Sequence, residues 1–220
     1  DPNSCLDSLL GVSAINSIGG VREETRRLAS AQGDPGISKR ELLELKISEC
    51  LVESDSFDLI AMGRPEGPGC YCYANNVLGA VIRELSASYP YVVIDNEAGL
   101  ENLSRRIVSR VDLLVMVADP SVNGLRTLRR LYALAGEMGI EYSSLVLAVN
   151  RLRAGVIPRE LDTLKQETSA TAVVCLPADD MIAESGERGS SLLSLPAGNE
   201  VSVQIAGMLN TVLPQGDRNG

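Results

Sequence analysis

Five short apolar runs rich in β-branched residues recur along this chain: FDLIAM (57–62), YVVID (91–95), DLLVMVAD (112–119), SLVLAVN (144–150) and TAVVCLP (171–177). Each has the length of a buried strand and is too short for a core helix. Between them, over 75–88, 100–110, 125–138 and 158–167, apolar residues fall at helical spacing, and Pro158 opens the last stretch as a first helical residue would. Continuous apolar strands that alternate with helices predict an α/β fold: a mostly parallel sheet flanked by helices on both faces, in three layers. Ligands of such sheets bind at the carboxyl ends of the strands.

Upstream, Ser38-Lys39-Arg40-Glu41 has the form of a capping box and predicts an amphipathic helix to about Glu53. Residues 186–199 are rich in Gly and Ser and read as a loop, and a last helix is expected over 200–213. At 220 residues, a single domain over 1–220 is the expectation. No apolar run approaches the ~20 residues that span a bilayer, so a cytoplasmic location is expected. A net charge of −9 opposes attraction to nucleic acid or anionic lipid, which leaves proteins and small ligands as the expected partners.

The strand ends hold the candidate site. YVVID ends in Asp95 and runs into Asn96-Glu97-Ala98-Gly99, placing a carboxylate where it can hold magnesium-bound water beside a phosphate, with Gly99 letting the backbone approach; the same aspartate is equally a helix cap. SLVLAVN ends in Asn150-Arg151 and TAVVCLP in Pro177-Ala178-Asp179-Asp180. Asparagine offers a donor and an acceptor to a nucleobase edge, and proline a flat apolar wall. The plainer alternative is that Asn150 turns the chain and Asp179 caps a helix.

There are five cysteines and no histidine. Cys70 and Cys72, in GPGCYCY, are two apart, so their sulfurs share one side of an extended segment. Two thiolates are half a zinc or nickel site, and a second copy of the same loop across a two-fold axis is the economical source of the other half. A redox pair and simple packing are the alternatives. Cys5, Cys50 and Cys175 are expected in the core.

The segments DPNSCLDSLLGV, VREET, GRPEGPGCYCYANN, YVVIDNEAGLENLSRR, VADPSVNGLRT, VNR and LPADD, in this order, resemble the MinD/ParA-like P-loop ATPases. More narrowly they resemble the CooC/AcsF-type accessory ATPases that help insert nickel into carbon monoxide dehydrogenase and acetyl-CoA synthase. The resemblance implies that Asp95 is the magnesium-associated aspartate, that 96–99 form the second switch, and that Asp1 orients the attacking water. It also implies that Asn150, Arg151, Pro177 and Asp179 surround adenine. ATP or ADP, Mg²⁺ and Ni²⁺ (or Zn²⁺) would then be the cofactors and cargo. The partners implied are a homodimer through nucleotide and metal, and one of those two client enzymes.

The departure from the family pattern is large. No G-x-x-x-x-G-K followed by Ser or Thr occurs in the sequence. Backbone N–H groups and the lysine of such a loop cradle the phosphates. The expectation is that the first strand, phosphate loop and first helix precede Asp1, and that the 220 residues alone hydrolyse ATP poorly. Two rival functions remain in view: a partition or cell-division ATPase, marked by a basic amphipathic C-terminal helix that QIAGMLNTVLPQGDRNG lacks, and a nucleotide-independent metal-binding module.

Overall fold

The structure is a computed structural model, and it describes residues 5–20, 41, 44–45, 48–61, 79, 82–83, 86–96, 109–153 and 157–213. The chain forms two compact units, Asp1–Ile107 with Ser185–Leu193, and Val108–Glu184 with Ser194–Gly220.

In the first unit, α1 (Leu6–Leu10) stops at Gly11, whose φ of 71° is the left-handed value that glycine adopts without strain. An added Cβ there would also stand 2.9 Å from Cβ of Ser191. Strands β1 (Leu51–Glu53) and β2 (Asp58–Ile60) pair antiparallel, with Leu51 opposite Ile60. Ile18, Cys50, Leu59 and Ala61 are buried, and the Ile18 N–H donates to the Ala61 carbonyl. The Tyr89 hydroxyl donates to the Asp58 carboxylate.

Two expectations are corrected in the first unit. Glu41, Glu44, Leu45 and Ser48 are helical, a turn follows at Glu49–Cys50, and Leu51–Glu53 is strand β1 rather than the last turn of a helix. The β-branched Val52 suits a ladder, and antiparallel β2 supplies one. Residues 91–95 form no strand: they have no ladder partner among the described residues, and Tyr91 and Val93 are 69% and 89% exposed. An apolar run becomes a strand only where a neighbour takes up its backbone N–H and C=O groups. The helix expected over 100–110 lies outside the described residues up to 108, and Arg110 begins a strand.

The second unit holds a parallel sheet in the order β3 (Arg110–Ala118), β4 (Glu141–Leu152), β5 (Ala172–Pro177). Helix α2 (Val122–Glu137) joins β3 to β4, and α3 (Glu160–Thr168) joins β4 to β5. Central β4 buries five consecutive residues, 145–149, as a strand covered on both faces must. Leu145, Leu147 and Val149 pack with Leu125 and Leu128 of α2 and Leu161 and Leu164 of α3. On the other face Val146 and Ala148 meet Val174, Leu176 and Val201, the last from α5 (Glu200–Val212). This is the expected α/β class, with helices on both faces of a parallel sheet. The stretch expected as loop from 186 instead completes α4 (Asp180–Arg188) and includes a 3-10 turn at Leu192–Ser194.

Candidate functional site

All three parallel strands end at one edge of the second unit, with Asp119 directly after β3, Asn150 and Arg151 just before the end of β4, and Pro177 closing β5. After β3, Asp119 accepts the backbone N–H of Ser121 at 2.8 Å, and the Ser121 hydroxyl in turn caps α2 by accepting the Gly124 N–H at 2.9 Å. Helix and strand approach so closely here that a Cβ on Gly124 would lie 2.3 Å from the Asp119 carbonyl oxygen. Glycine is required at that position. Hydrogen bonds from the Ser121 side chain and backbone hold the Asp119 carboxyl below the usual carboxylate range, and the positive charge of Arg151 adds to this.

Strand β4 is irregular where the edge is reached. Its register with β5 shifts between Val149 and Leu152, and Arg151 sits at φ 61°, a left-handed backbone in a residue that is not glycine. Such a bulge re-aims side chains and is frequent beside ligand sites. Asn150 is half-buried, and its Oδ1 accepts the Arg151 N–H at 2.8 Å. The Asn150 side-chain NH₂ makes no hydrogen bond among the described residues, which leaves a donor at the edge.

Half-buried Pro177 closes β5, and Asp179 follows it. One Asp179 oxygen accepts the Ile182 N–H at 2.9 Å at the start of α4. The other accepts from the amide of buried Asn199 at 2.7 Å, while Asn199 Oδ1 accepts the Ser202 N–H at 3.0 Å and so caps α5. A carboxylate and an amide thereby hold two helix starts together beside the strand ends.

Sequence reasoning named Asn150, Arg151, Pro177 and Asp179, and the sheet brings the strand ends that carry them to one edge. It missed Asp119, Gly124 and Asn199. The available signal for the first two was D-P-S-x-N-G directly after an apolar strand, and for the third an asparagine directly before a helix. Asp95 and Asn96 are exposed in the first unit. Asp1, Glu97, Gly99, Cys70 and Cys72 lie outside the described residues. Among the described residues no group of three or more His, Cys, Asp or Glu could hold a metal ion. Cys50 is buried as expected, and burial raises the pKa of half-buried Cys175, but Cys5 is exposed rather than in the core. Helix α1 carries no buried residue that could enclose it. No described helix is long and apolar enough to cross a membrane.

The parallel sheet with helices on both faces defines an α/β architecture, and solved structures share it. MinD from Aquifex aeolicus superposes with a TM-score of 0.61 over 95% of this chain and 81% of that one, at 18% identity. No protein-family model matches the sequence. An uncharacterized ATP-binding protein of Methanocaldococcus jannaschii is 38% identical over 206 residues, 93% of this chain and 81% of its own length. The carbon monoxide dehydrogenase accessory protein CooC of Rhodospirillum rubrum is 29% identical over 64% of this chain and 57% of its own. For the septum site-determining protein MinD of Bacillus subtilis the figures are 25%, 76% and 64%. The chain belongs to the MinD/ParA-like family of ATP-binding proteins.

Proposed function

We propose that the chain is an ATP-dependent metallochaperone that delivers nickel to carbon monoxide dehydrogenase or acetyl-CoA synthase. The observation that carries its nucleotide half is the strand-end edge of the second unit, where the bulge in β4 leaves the Asn150 amide donor without a partner among the described residues, beside the strand ends that carry Pro177 and Asp179. In this reading Asn150 and Arg151 meet the base edge, and Pro177 covers its face. Asp179 orders the loop by holding α4 and α5. Asp95, with Glu97 and Gly99, answers to magnesium and the terminal phosphate, and Asp1 orients the attacking water. ATP binding joins two copies, and hydrolysis separates them. Asn150→Ala is expected to weaken ATP binding about tenfold, one hydrogen bond's worth, in calorimetric titration. Unchanged affinity would remove the base from this edge.

The metal half rests on the spacing of Cys70 and Cys72 and on similarity to CooC. Two thiolates from each of two copies would complete a four-coordinate site for nickel as cargo, with zinc as its competitor. Equilibrium dialysis is expected to give one ion per two chains, lost in Cys70→Ser. Undiminished binding in that variant ends the delivery role.

The similarity to MinD of Bacillus subtilis favours a second reading, a cell-division or partition ATPase acting at a surface. Helix α5 contains no Lys or Arg and gives this reading no basic face. ATP-dependent co-sedimentation with anionic liposomes would support it over metal delivery.

A further inference from the structure

Helix α2 leaves its dipole uncompensated at both ends. It has no acidic residue in its first turn and no basic residue in its last; Arg126 lies in its first half, Arg129 and Arg130 at its middle, and Glu137 ends it, a carboxylate at the negative end of the dipole. Arg129 is paired with Glu167 at 2.7 Å, but Arg126 and Arg130 have no ion pair among the described residues.

The unpaired charges share one face. At 100° per residue, Val122, Arg126, Arg130, Ala133 and Glu137 fall within a stripe about 80° wide. All five are exposed, Val122 by 62%. Basic residues occupy one end of the stripe and the acid the other, with a small side chain between. Beside the acidic end is an open cleft of about 520 Å³ whose lining includes Tyr132, Ala133, Gly136, Glu137, Glu141 and Tyr142. A Cβ on Gly136 would meet nothing within 4 Å, so another chain can come close there. Glu137 and Glu141 have no ion pair among the described residues, and Arg110, opposite Glu141 in the β3–β4 ladder, makes none with it. Two carboxylates beside two tyrosine rings suit a guanidinium, which can pair with the first and stack on the second.

The stripe is complementary to itself when reversed. Arg130 and Glu137 lie symmetrically about the Ala133–Leu134 peptide, and in chain position so do Arg126 and Glu141. We propose that α2 packs antiparallel against α2 of a second copy across a two-fold axis near Ala133, Arg126 and Arg130 of each copy entering the Tyr132–Glu137–Glu141–Tyr142 cleft of the other. Residues 130 and 137 are about 10 Å apart along the helix, so the crossed pairs form simultaneously on both sides of the axis. This contact needs no nucleotide and no metal, and is separate from the dimer proposed above. A single helix pair buries less than the ~1,600 Å² of a standard interface, so the association is weak and salt-sensitive.

Sedimentation velocity of the nucleotide-free chain tests it. Self-association is expected at about 50 mM salt and its loss at about 500 mM. Arg126→Glu with Arg130→Glu should leave monomer at both. Adding Glu137→Arg and Glu141→Arg to that variant reverses every pair and should restore association, a result that loss of folding could not produce. Mixing the all-acidic variant with a Glu137→Arg, Glu141→Arg chain should give a one-to-one complex. A wild-type chain that stays monomeric at low salt, or a four-fold swap that does not re-associate, overturns the proposal and leaves the stripe to a different protein.

Discussion

Arg151 holds a backbone conformation that costs an L-residue about 1–2 kcal/mol, at the one irregular point of the central strand. Glycine adopts it freely but loses more entropy on folding, by roughly 0.5–1 kcal/mol. Arg151→Gly is therefore expected to unfold at equal or slightly higher urea while binding ATP more weakly; falling stability with unchanged affinity would make the residue purely structural. Asp119 gives a second residue-scale test. Its folded-state pKa lies below the ordinary value near 4, so the contribution of its hydrogen bonds with Ser121 is complete above that value and is lost as pH falls through the lower, folded one. Asp119→Asn should flatten stability against pH in this acidic window only, as followed by circular dichroism. Both residues belong to motifs visible in the sequence, VADPS and VNR, but φ at Arg151 and the hydrogen bonds at Asp119 depend on how strand and helix meet. Nothing local to the motif specifies them.

Among the elements, the starts of α4 and α5 depend on one shared pair. Asn199→Ala is expected to cost about 1–2 kcal/mol, as a lost cap does, and Asp179→Ala a similar amount. The double variant should cost less than the two together, because each single change breaks the same contact; strict additivity in urea unfolding would mean that the pair is not coupled. β3, β4 and β5 were legible as apolar runs because a strand buried on both faces must be apolar throughout, as 145–149 of β4 are. The run at 91–95 has the same composition and is exposed without a ladder, while Leu51–Glu53, assigned by periodicity to a helix, is a strand. Composition records what an element can bury. It does not record which neighbour is present to pair with it.

For the whole molecule, the second unit's larger cluster closes around Leu128, Leu147 and Leu164, all fully buried. Leu164→Ala should lower stability by about 2–5 kcal/mol through lost burial and the cavity left behind, with the urea dependence of unfolding unchanged. A near-neutral result would show that α3 can collapse into the space. The net charge of −9 belongs to this scale too, and it contrasts with Arg126 and Arg130 of α2, which have no ion pair among the described residues. Overall charge sets long-range repulsion between copies, whereas opposed stripes act only within a Debye length of about 10 Å.

By itself the sequence determined the α/β class, three of the sheet's strands and the residue types at their carboxyl ends, because burial on two faces and helical spacing are written into the order of side chains. Tertiary structure alone decided that β4 breaks register at Asn150–Arg151, that Asp179 reaches Asn199, and that the α2 face bearing Arg126, Arg130 and Glu137 is left exposed. Those facts depend on distances between segments far apart in the chain, and such distances exist only once the backbone groups have chosen their partners.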